Sequence, residues 1–92
     1  MMEDLKISDF AAGDSFDVEA GGAVHVLTVA EVAELPHAAR DAGGFRLLFT
    51  GPVQPLLPQA MYSFKGSRRT DDIFIVPVAA DAQAVRYEAI FN

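Results

Sequence analysis

Two adjacent glycines, Gly21 and Gly22, separate two stretches that alternate between apolar and polar residues, and this constrains the chain more than any other feature. A pair of glycines accepts the positive φ values that a two-residue hairpin turn demands, and its twist matches that of the flanking strands. The register then follows by counting outward from the turn. Ala20 faces Ala23, Glu19 faces Val24, Val18 faces His25, Asp17 faces Val26, Phe16 faces Leu27 and Asp14 faces Val29. Phe16, Val18, Leu27 and Val29 share one side, and Asp17, Glu19, Val24 and Val26 share the other. Val32 and Leu35 keep an inward phase only if the spacing breaks, which predicts a β-bulge near Ala30 or Glu31.

Downstream, residues 45–50 alternate with Phe45, Leu47 and Phe49 on one face, and residues 60–65 do so with Tyr62 and Phe64 inward. Between them Pro52, Pro55 and Pro58 donate no ladder hydrogen bonds, so 51–59 is expected to arch over one end of the sheet. Residues 66–70 form a turn into a terminal pair of strands. The first, 73–78, is apolar on both faces. The second, 85–91, alternates with Val85, Tyr87, Ala89 and Phe91 inward. Pro77 lacks an amide donor, so either it marks a bulge or the strand is an edge whose second apolar face needs a cover, from the Phe10 turn or another subunit. Ahead of the first strand, residues 8–13 read as one helical turn, with Ser8 as N-cap, Asp9 near its positive end and Gly13 left-handed at its close. Residues 36–44, small, polar and ending in two glycines, read as a mobile loop. The expected fold is all-β: a six-stranded antiparallel meander forming a small barrel or roll, one domain over 1–92.

Composition removes several functions. The absence of cysteine excludes disulfides, thiolate nucleophiles and cysteine-type zinc sites. A net charge of -6 opposes binding to phosphate backbones, so no nucleic-acid partner is expected. The start lacks a basic region followed by an apolar core, unlike a signal peptide, and no apolar run approaches the roughly 20 residues that span a bilayer. A cytoplasmic protein without a membrane partner is expected. A chain of 92 residues buries only about two thirds of its unfolded surface, yet 51% of its residues are hydrophobic. Apolar area is therefore left outside.

Residues 49–52 (Phe-Thr-Gly-Pro), 57–62 (Leu-Pro-Gln-Ala-Met-Tyr), 74–78 (Phe-Ile-Val-Pro-Val) and 86–92 (Arg-Tyr-Glu-Ala-Ile-Phe-Asn) together resemble a family of short bacterial proteins of unknown function. Residues 5–10 and 13–16 are similar to that family's start, so the resemblance spans nearly the whole chain and is weakest around 36–44. It implies no catalytic residues. Its one functional implication is an assembly role accessory to a phage-tail-like structure.

The residues themselves offer little chemistry. A hydrolytic triad needs a base that is both preorganised and oriented, whereas His25 ends a core face as a packing residue and His37 sits in the loop. Nucleophile elbows, phosphate loops and paired-histidine motifs are missing, so the chain is expected not to be an enzyme and to use no cofactor. Asp71 and Asp72 stand at one end of a strand and Asp81 at the other. Rising about 3.3 Å per residue, the strand puts them nearly 30 Å apart, so they are expected to hold no metal. The adjacent Arg68 and Arg69, at a turn, form a candidate grip for phosphate or carboxylate. The overlapping Pro-x-x-Pro patterns of the arch are assigned to structure, with Leu56 and Leu57 folding it against the sheet.

Two functions remain. The leading one is a non-catalytic assembly or protein-interaction module, a homo-oligomer or part of a larger assembly, using exposed apolar strand surface at Val24, Val26 and Phe74. The alternative is a small-ligand-binding barrel lined by Tyr62, Phe64, Tyr87 and Phe91.

Overall fold

The computed structural model describes residues 5–35 and 44–91. The loop expected at 36–44 lies outside them up to Gly43, and so does His37. Six strands follow in order: β1 (Ser15–Ala20), β2 (Ala23–Leu35), β3 (Gly44–Gly51), β4 (Ala60–Lys65), β5 (Thr70–Ala80) and β6 (Val85–Phe91). They close into an all-antiparallel barrel, as the alternation predicts, preceded by one short 3-10 turn (Ile7–Asp9). No helix among the described residues is long and apolar enough to cross a membrane.

The glycine hairpin forms in the expected register, from Ala20↔Ala23 through Phe16↔Leu27. Gly21 and Gly22 take φ values of 61° and 80°, a conformation that a side chain would strain. The predicted bulge falls between Val29 and Glu31, where β2 turns from β1 toward β3.

Around the barrel the order is β1-β2-β3-β6-β5-β4. The consecutive meander is thus interrupted at one step: β3 and β4 are not neighbours but stand on opposite sides of the ring. Three prolines in the connecting segment forbid a tight hairpin, and the segment crosses the barrel's mouth instead. Each half, β1-β2-β3 and β4-β5-β6, is a local meander. Seams β3–β6 and β1–β4 join the halves.

Strand alternation delivers the core. Val18, Leu27, Leu47, Phe49, Phe64, Ile75, Ile73, Tyr87 and Ala89 are essentially sealed from solvent. Phe49 packs on Phe64 at 4.9 Å and edge-on to Phe16 at 6.2 Å. At the crown, where the arch crosses, buried Leu57 drops inward and its N–H donates to the Tyr87 hydroxyl at 2.9 Å. At the base, Phe10 lies against Phe16, Phe45 and Phe91 at 5.9–6.2 Å, and Phe45 stacks on Phe91 at 4.5 Å.

Three details differ from expectation. The N-terminal turn is capped from Lys6 rather than Ser8, with the Lys6 N–H donating to Asp9 Oδ2 at 2.8 Å. Gly13 is left-handed (φ 95°) as expected, but it also joins β2, donating to the Val29 carbonyl at 2.8 Å. β5 begins at Thr70, so Asp71 and Asp72 lie within the strand rather than ahead of it. Its first half pairs with β4, from Lys65↔Thr70 to Ala60↔Ile75, and its second half pairs with β6 from Val76↔Glu88 onward. The register shifts between Pro77 and Ala79, so Pro77 does mark a bulge. The Phe10 turn packs inside the base and leaves the second face of β5 uncovered.

Candidate functional site

Two regions merit comparison as sites. The first is a cleft of about 620 Å³ at the base, between the start of β1, the 3-10 turn and the β4–β5 turn. Gly66 presses this turn onto the core: a Cβ there would lie 2.8 Å from the Phe16 ring. Arg68 and Arg69 both line the cleft, but they do not act as a pair. Nη2 of Arg69 donates to Asp71 Oδ1 at 3.1 Å, and Nε lies 2.8 Å from Oδ2 as an ion pair whose N–H is not aimed at that oxygen. A third contact, at 3.5 Å, reaches Asp9. Arg69 therefore ties the N-terminal turn to β5, and its charge is met by two carboxylates. Arg68 is exposed, with no ion pair among the described residues. Asp9, Asp14 and Asp71 line the same cleft, so the two arginines of the expected grip stand among carboxylates, with Arg69 engaged by two of them.

Other sequence candidates are structural. Nε2 of His25 lies 3.2 Å from the Ala20 carbonyl oxygen, beside the hairpin. Asp81 accepts the Gln83 and Ala84 N–H groups at 2.8 and 3.0 Å and pairs with Arg86 at 2.9 Å. The Arg86 hydrogen bond, then those two backbone donors, hold its carboxyl at about 2. Among the described residues no three His, Asp or Glu side chains gather as a metal would need. Of the residues proposed to line a ligand chamber, Phe64 and Tyr87 are sealed in a filled interior. The Tyr62 hydroxyl turns outward to donate to the Pro58 carbonyl at 2.6 Å, and burial, then neighbouring Tyr87, raises its pKa above the ordinary phenol value.

The second region is the outer wall. Phe74 is 46% exposed, and its cross-strand partner on β4 is Met61, at 60%. On β6, Ile90 is 47% exposed and stands two residues past Glu88, the partner of Val76. Continuing that register sets Ile90 level with Phe74, so Met61, Phe74 and Ile90 form one row across three strands. Val24 and Val26, at 58% and 51%, lie on the outer face of β2 opposite Glu19 and Asp17. Sequence alternation identified Val24, Val26 and Phe74 but passed over Met61 and Ile90. Their signal was present: each is apolar at the polar phase of its strand.

Isolated exposed apolar residues are ordinary, but a contiguous row marks a contact surface. Cross-strand neighbours such as Met61 and Phe74 lie close enough to act as one unit. Ion pairing shapes the same wall: Arg46 donates to Glu88 at 2.6 Å and stands 3.6 Å from Glu31.

Residues 5–91 match a protein-family model described as "Domain of unknown function (DUF6916)". No curated protein and no solved structure matches the chain.

Proposed function

Because the chain belongs to this family, whose description assigns no activity, we propose on physical grounds that it is a non-catalytic protein-interaction module, working by contact within a larger assembly or with copies of itself. The row of Met61, Phe74 and Ile90 carries this function. Met61 and Phe74 are cross-strand partners, Ile90 extends their row on β6 by continuation of the register, and the inner face of this wall is buried core, so the fold itself has no use for three large apolar side chains outside. Burying such a row against a partner would contribute about 25 cal/mol per Å² of apolar area. An accessory role in a phage-tail-like structure, which the family resemblance implies, suits a small rigid barrel that presents one such wall. A ligand held inside the barrel is less well supported, because the Phe16, Phe49, Phe64 and Tyr87 rings occupy the interior.

Site-specific photo-crosslinking in the native host tests the proposal. A benzoylphenylalanine replacing Phe74 is expected to capture discrete protein adducts, whereas one at exposed Gln83 captures none. No adduct at position 74, together with a strict monomer by light scattering across a wide concentration range, overturns it.

A further inference from the structure

The charges around the apolar row specify what docks there. Asp72 lies on β5 two residues before Phe74, on the same outer face, and is exposed. Its partner on β4 is Ser63. Continuing the β1–β4 register of Asp17↔Lys65 and Val18↔Phe64 brings Glu19 level with Ser63. Glu19 and Asp72 thus stand one row below Met61 and Phe74. Glu88 stands one row above, beside Val76. Among the described residues the side chains of Asp17, Glu19 and Asp72 make no hydrogen bond or ion pair, whereas those of Arg46, Arg69 and Arg86 are each tied to carboxylates. Two basic side chains stand on this stretch of wall: Lys65, at its lower end beside Asp17, and Arg46, the cross-strand partner of Ile90, which is already held by Glu88 and Glu31. The row is therefore apolar at its centre and bordered below by Glu19 and Asp72, whose charge has no internal compensation, while Glu88 above it is neutralised by Arg46.

From this we infer that the Met61–Phe74–Ile90 wall docks a basic segment of another protein, one that sets apolar side chains on the row and Lys or Arg against Asp72 and Glu19. A second copy fits this wall poorly. Each copy would bring the same unpaired carboxylates to the interface, in a chain whose net charge is already -6, and like charges brought together at an interface oppose the wrong partner. Opposite charge at the border speeds encounter and fixes orientation, while the apolar centre supplies the burial.

Two synthetic peptides with the same apolar residues, one alternating them with Lys and the other with Glu, test this against the full chain by NMR. The Lys peptide is expected to shift the amides of Met61, Phe74 and Ile90 and to bind at least about tenfold more tightly than the Glu peptide. That preference should fade in about 1 M salt, where the screening length is about 3 Å. Phe74→Ser should abolish the localised shifts. Asp72→Asn combined with Glu19→Gln should remove the Lys preference while the apolar contact persists. All three variant positions are on the outer wall or its border, so an unchanged spectrum elsewhere confirms folding. Equal binding of both peptides at the row, or self-association through Phe74 in place of peptide binding, overturns the basic partner but leaves the interaction module standing. If neither peptide perturbs the row and the crosslinker at position 74 captures nothing, both fall together.

Discussion

The two ends of the barrel are closed by different means. At the crown the plug is internal to the chain: the arch is anchored at both ends by β3 and β4, and it seats Leu57 with a hydrogen bond to Tyr87. At the base the plug is the 3-10 turn ahead of β1, seating Phe10 among three rings and tied down by the Asp9–Arg69 ion pair. Ordering either plug costs conformational freedom that packing must offset, and the two ends do so with different residues: one leucine and a hydrogen bond at the crown, a cluster of rings at the base. The aromatic cluster supplies that packing at the base, and the ion pair only orients it.

Substitutions at the two plugs test this contrast most strongly. Phe10→Ala should destabilise by about 3–5 kcal/mol and Leu57→Ala by about 2–5 kcal/mol. Urea unfolding measures both, and the contrast fails if Phe10→Ala is the milder. Next comes Tyr87→Phe, which keeps the ring but leaves the buried Leu57 N–H without its acceptor, a loss of about 1–3 kcal/mol. A neutral result there would mean that the crown is held by Leu57 packing alone. Arg69→Met should cost no more than about 1 kcal/mol, because the pair is partly exposed. Its difference from the parent should shrink in about 1 M salt, and a salt-independent loss would show that Arg69 acts through packing of its stem.

The smallest effect is a pH dependence at the crown. The folded-state pKa of Asp81, about 2, lies below its ordinary value of 3.8. The stabilisation from its Arg86 pair and turn amides is therefore complete above the ordinary value and is lost as pH falls from 3.8 toward 2. Melting temperatures across that window should fall less steeply in Asp81→Asn than in the parent, and parallel curves would remove Asp81 from the account.

Much of this architecture was legible in the residues. Glycines at 21 and 22 dictated one turn type and hence a register, and the phase break after Val29 dictated a bulge. The prolines of the arch excluded a strand, but proline content says nothing about where the chain re-enters the sheet. The placement of β4 across the ring is set by pairings between segments distant in sequence, a property of the whole molecule. The interaction wall was half legible for a similar reason. Phe74 declared itself within its own strand, but the row exists only because Met61 and Ile90 reach the same level through pairings distant in sequence. Arg68 and Arg69 look alike in sequence, and only the folded contacts separate them, because Asp71 and Asp9 engage Arg69.

The two seams that join the halves are unequal. β3 and β6 pair from Phe45↔Phe91 without interruption to Gly51↔Val85, whereas β1 and β4 pair only at Asp17↔Lys65 and Val18↔Phe64. The molecule is in effect a rolled sheet fastened by a long weld on one side and a short clasp on the other. Thermal breathing should follow the clasp, with amide protons along it exchanging through local opening while those of the weld wait for global unfolding. The clasp borders the Met61 end of the apolar wall. A partner seated there would span both sides of it and protect from exchange the amides that open most readily in the free protein.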